Sequence, residues 1–126
     1  MRYGLFVLGL IAFVAPAHAE PRSAYVTMVL QAFAAKIDCP GVDVVYQDLQ
    51  QKADEMQMPD GTTEKVRNAI AYTLTSGKMG QREDDDLVLE VTTAKTSTDK
   101  DLNRLGIPAW CETQTPKLAG FIRAKN

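Results

Sequence analysis

An all-α fold is predicted: a small compact bundle of five or six short helices, stapled by one disulfide and preceded by a cleaved signal peptide. Three observations predict it. Apolar residues recur at helical spacing through most of the chain beyond residue 20. Proline and glycine interrupt these runs at intervals that suit short helices. The chain also has only two cysteines, Cys39 and Cys111, and opens on an export pattern.

That pattern occupies residues 1–19. Arg2 gives a positive start, residues 5–14 contain nothing polar, and Ala17, His18 and Ala19 supply the small residues a signal peptidase reads. The apolar run is well short of the roughly 20 residues that span a bilayer, and no cysteine near the cleavage point offers a lipid attachment. Residues 20–126 are then one helical domain in the periplasm or outside the cell, with no stable membrane insertion after cleavage. In such an oxidising compartment the two cysteines pair as Cys39–Cys111, closing most of the mature chain into one loop.

The elements follow in order. Ser23 is the expected N-cap of a first helix that runs to about Asp38. Val26, Val29, Leu30, Phe33 and Ile37 form its inner stripe, and Tyr25, Met28, Ala32 and Ala35 form a second strip. Pro40 and Gly41 stop it at the Cys39 corner. Asp43 is the expected cap of a second helix with Val45, Leu49, Ala53 and Met56 inside. Beyond the turn Pro59-Asp60-Gly61, capping by Asp60 or Thr62 predicts a third helix carrying Val66, Ala69, Ile70 and Leu74, with Gly77 ending it. Residues 87–93 are β-branched and partly alternating, as in a strand. They follow a cluster of acids that favours a helix start, and no partner strand is evident, so helix is predicted. Ser97 or Thr98 is expected to cap a short helix closed by Gly106. Pro108 opens a turn through Trp110 and Cys111, and Thr115-Pro116 begins a last helix with Leu118, Phe121 and Ile122 inside.

Composition excludes several chemistries. The single histidine, His18, lies in the leader, so a Ser–His or Cys–His nucleophile has no base in the mature chain. Cys111 lacks the second cysteine of a Cys-x-x-Cys redox or haem motif. Asp99, Asp101 and Asn103 match the start of a calcium loop, but Arg104 and Trp110 stand where glycine and glutamate belong. No metal site, cofactor or catalytic residue is therefore expected. With 14 basic against 16 acidic side chains the net charge is −2, and losing Arg2 makes the chain more acidic, which excludes nucleic acid as the main partner.

Binding is what remains. The expected function is a small exported, non-enzymatic helical protein that engages another envelope protein or a small apolar ligand. Its candidate interaction surface comprises Tyr25, Met28 and Ala32 on the second strip of the first helix, with Met58 and Met79 in loops. One alternative is a periplasmic acid-stress chaperone of the holdase type, because protonated carboxylates leave the basic groups unopposed and loosen the fold. Another is a cell-wall glycan hydrolase that uses only carboxylates, with Asp84, Asp86 and Glu90 as candidates.

Overall fold

The computed structural model describes residues 19–82 and 84–126. The predicted leader lies outside the described residues except for its last, Ala19, where the first helix begins. The elements are α1 (Ala19–Asp38), β1 (Val42–Asp43), α2 (Tyr46–Glu55), α3 (Thr62–Leu74), α4 (Asp85–Leu105), α5 (Ile107–Gln114), a 3₁₀ turn (Thr115–Leu118) and β2 (Arg123–Ala124). The chain is mostly helical and carries the Cys39–Cys111 disulfide, with Cα atoms 5.7 Å apart. It departs from a bundle of short helices in two ways. Two of its helices, α1 and α4, run 20 and 21 residues, and a small two-stranded sheet is present.

α4 is long because its apolar positions never lose register. Leu87, Val91, Ala94, Thr98, Leu102 and Leu105 follow one another at helical spacing, and the first four are buried. Asp84 caps the helix by accepting the N–H of Leu87 at 3.1 Å. Residues 87–93 are helical as predicted, but no break occurs at Ser97 or Thr98. Thr98 is buried mid-helix and caps nothing.

The predicted last helix is also corrected. After one 3₁₀ turn the chain reverses, and β2 pairs antiparallel with β1, Val42 opposite Ala124 and Asp43 opposite Arg123. Lys125 N–H extends the pairing to Gly41 O at 2.9 Å. Two-residue strands leave no periodicity to read. Asp43, expected as a cap, lies in β1 and accepts the N–H of Val44 at 2.8 Å. The N-cap of α2 is Val45, that of α3 is Gly61, and Ser23 sits inside α1. Both α2 and α3 end in paired reversed hydrogen bonds around a non-glycine residue in the left-handed region, Gln57 (φ 60°) and Ser76 (φ 54°).

One cluster of buried side chains joins all five helices. α1 turns Tyr25, Val26, Val29, Leu30, Ala32 and Ala35 into it, whereas Ile37, predicted inside, is 71% exposed. Tyr25 and Ala32, predicted on a surface, are fully buried. Cys39 lies seven residues beyond Ala32 and fourteen beyond Tyr25, so the three share one face of the helix. The disulfide turns that face inward and carries Ile37, on the opposite side, out to solvent.

Tyr25 also holds polar groups in this core. Its hydroxyl is 3.0 Å from Leu49 O in α2 and 2.9 Å from Thr63 Oγ1 in α3. The phenol donates to the carbonyl and accepts from the threonine, linking three helices at one buried oxygen. Removing that oxygen leaves Thr63 without its partner, at a cost of about 1–3 kcal/mol. Tyr25→Phe is expected to lower the unfolding free energy by that amount, read as a lower urea midpoint with an unchanged denaturant slope.

Candidate functional site

α1 and α4 lie side by side with their starts together. Near those starts Arg22 Nε donates to Glu90 Oε2 at 2.9 Å, and the Arg22 guanidinium lies 3.7 Å from Asp84. Further along, the two helices part around a cleft closed on its third side by the end of α3. α1 contributes Leu30, Ala34, Ile37 and Asp38; α3 contributes Leu74; α4 contributes Lys95, Thr98, Asp99 and Leu102. Its volume is about 100 Å³. The opening follows from sequence. Ala34 offers a single methyl between the larger Leu30 and Ile37, and α3 stops at Leu74 before it can cover them.

Two properties mark this groove. Ile37 and Leu74, from different helices, are 71% and 41% exposed and adjoin one apolar surface rather than standing singly. On its wall, Thr98 is only 3% exposed and its Oγ1 has no hydrogen-bond partner. A buried hydroxyl left in that state costs about 1–3 kcal/mol. On the rim Lys95 and Asp99 pair with each other at 2.6 Å, while Asp38 has no ion-pair partner among the described residues.

Two other concavities are less suited to a ligand. One, of about 480 Å³, lies between α2 and the chain end. Its charges are spent on each other: Arg123 holds both oxygens of Asp48 at 2.8 and 2.6 Å, and Lys52 meets Glu55 at 3.1 Å. The other, of about 430 Å³, is a shallow trough of Ser23, Thr27, Thr93 and Ser97 beside exposed Leu89. Its one charged group, Glu90, is already bonded to Arg22.

The predicted site residues are scattered. Met28 and Met58 are half-buried against the core. Met58 follows the left-handed Gln57 that ends α2, where an apolar residue packs back on the helix. Met79 alone of the five is openly exposed, at 63%. Its neighbour Gly80 lies so close to α3 that a Cβ there would stand 2.2 Å from Asn68 O. Of the acidic candidates, Arg22 engages Asp84 and Glu90 together, and Asp86 is left exposed. The hydrogen bond to Glu90 raises the Arg22 pKa above its ordinary value. The Arg22 guanidinium therefore lies against both Asp84 and Glu90. The chain does contain a Ser-x-x-Lys spacing, Ser97 to Lys100, but both are exposed on α4 and no hydrogen bond joins them. Among the described residues no three metal-ligating side chains group together, and no helix is long and apolar enough to cross a membrane.

Comparison with family models, with curated proteins and with solved structures returns no match to this chain. Fold and groove together define a small disulfide-closed helical domain with an apolar cleft where α1, α3 and α4 meet.

The Asp48–Arg123 pair has a pH signature. The hydrogen bond from Arg123 holds the Asp48 carboxyl below its ordinary value of 3.8. A depressed carboxyl stabilises the fold at pH values above the unfolded one and loses that contribution as pH falls through the folded one. Wild-type stability is expected to drop on acidification below about pH 4, and Asp48→Asn to flatten that part of the profile. Urea midpoints measured between neutral and acid pH check this.

Proposed function

We propose that this protein is an exported, non-catalytic binding module whose groove between α1, α3 and α4 takes an apolar group from an envelope protein or a small apolar ligand. The observation that carries the proposal is the exposure of Ile37 and Leu74, from two different helices, at the mouth of an apolar cleft. A concave apolar surface is where a small apolar group is best removed from water. An occupant seated there shields the cleft lining and, where it extends over the rim, Ile37 and Leu74 as well. Export rests on the leader pattern and on the disulfide, which suits an oxidising compartment. The non-catalytic role rests on the lack of histidine after residue 18 and on the Arg22 cation between the acidic candidates.

A suitable probe is 3-methylbutan-1-ol, whose branched four-carbon end matches the cleft and whose hydroxyl end extends over the open mouth. Titrated into the protein, it is expected to shift the Ile37, Leu74 and Leu102 methyl resonances saturably, with a Kd in the millimolar range. Thr98→Val keeps the side-chain shape and deletes the unsatisfied hydroxyl. It is expected to raise stability by about 1 kcal/mol. Methyl shifts that never saturate, or that spread over the whole surface, overturn the assignment.

A further inference from the structure

Resting on that groove assignment, we infer that its natural occupant is an aliphatic or thioether side chain on a basic amphipathic segment of another protein. Size is the first reason. A volume of about 100 Å³ is below the roughly 150 Å³ of an engineered cavity that holds benzene, and so admits about four heavy atoms. At the efficiency ceiling for very small ligands, a free molecule that small binds no tighter than about 40 µM. A side chain carried on a polypeptide escapes that ceiling, because its segment continues over the rim. The rim is built for such an extension. Ile37 and Leu74 flank the mouth from two different helices, and both stay largely uncovered by a four-atom ligand.

Charge is the second reason. Asp38 is the last residue of α1 and lines the groove. A carboxylate there faces the negative end of the helix dipole, which is unfavourable. The lysine two residues before it and the lysine on the groove rim are committed elsewhere: Lys36 lies 3.5 Å from Asp43 and Lys95 lies 2.6 Å from Asp99. Among the described residues the groove therefore presents one negative charge without an ion-pair partner beside its apolar mouth, in a position that disfavours the helix. A lysine or arginine one turn from the anchoring side chain supplies the missing partner, in the manner of a helix laid into a groove.

The test uses the disulfide-closed protein and two synthetic 14-residue amidated peptides. Both carry a stripe of methionine and leucine at helical spacing, flanked by lysine in one and by glutamate in the other. Methyl resonances of Ile37, Leu74 and Leu102 are followed through each titration. The lysine peptide is expected to bind at this site at least tenfold tighter than the glutamate peptide. Asp38→Asn is expected to weaken the lysine peptide about threefold while leaving the fold as stable or more so. Ile37→Ser, at an exposed position that does not threaten folding, is expected to weaken it at least fivefold. Equal binding of the two peptides, or indifference to Asp38→Asn, overturns the inference. If 3-methylbutan-1-ol shifts the groove methyls and neither peptide does, the groove assignment stands and the polypeptide partner falls; if nothing shifts them, both fall.

Discussion

The constraint on which the rest of this structure depends is the Cys39–Cys111 bond. It joins residues 72 apart in sequence, and in the chain-entropy account a loop of that length stabilises the fold by about 4 kcal/mol. That is a large part of the roughly 5–15 kcal/mol available to a domain of this size. The bond also fixes orientation. Cys39 shares a helix face with Tyr25 and Ala32, so linking it to α5 settles which side of α1 is core. Close beside it, β2 returns to pair with β1. The corner after α1 thus gathers the end of the first helix, the fifth helix and the chain terminus, leaving α2 and α3 to pack against a frame already closed.

The groove is a by-product of that frame. α1 and α4 run in the same direction for about six turns, and α3 covers only part of the seam between them. Where α3 ends, a methyl from Ala34 is too small to fill the space. Three features there each work against stability: an exposed isoleucine, a buried hydroxyl without a partner, and a carboxylate at a helix C-terminus. Proteins tend to break such local rules where function requires it. At this cleft the three occur together, whereas in the two larger concavities the charged side chains are paired with one another or with Arg22.

Much of the fold was legible in the sequence, because the periodicities of α1, α2, α3 and α4 are long and the turns at Pro40-Gly41 and Pro59-Asp60-Gly61 are unambiguous. The disulfide followed from cysteine count and the export pattern. What was not legible was mostly short or terminal. β1 and β2 are two residues each, below any period. A serine and a threonine in the middle of α4 look like a cap until Thr98 is seen to continue a buried stripe. The inward face of α1 was harder to read for a more instructive reason. The i, i+3, i+4 rule put Ile37 on the inner stripe with Val26, Val29, Leu30 and Phe33, and left Tyr25 and Ala32 on a second strip offered as a surface. The seven-residue steps from Tyr25 to Ala32 to Cys39 carried the correct answer, since a cysteine bonded to the core marks the inward face. With that face known, Ile37 becomes the exposed isoleucine needing explanation, and Asp38 beside it the candidate partner-binding charge.

The chain contains a single tryptophan, and Trp110 is fully buried next in sequence to the bonded Cys111. Its indole therefore samples the interior and the covalent closure at the same point. In the closed protein it is shielded from solvent relaxation and emits toward the blue. Opening of the corner, by reduction or by acid, admits water there and moves the emission toward the red. The molecule thus carries an optical gauge of its own integrity, one that needs no label and leaves the groove untouched.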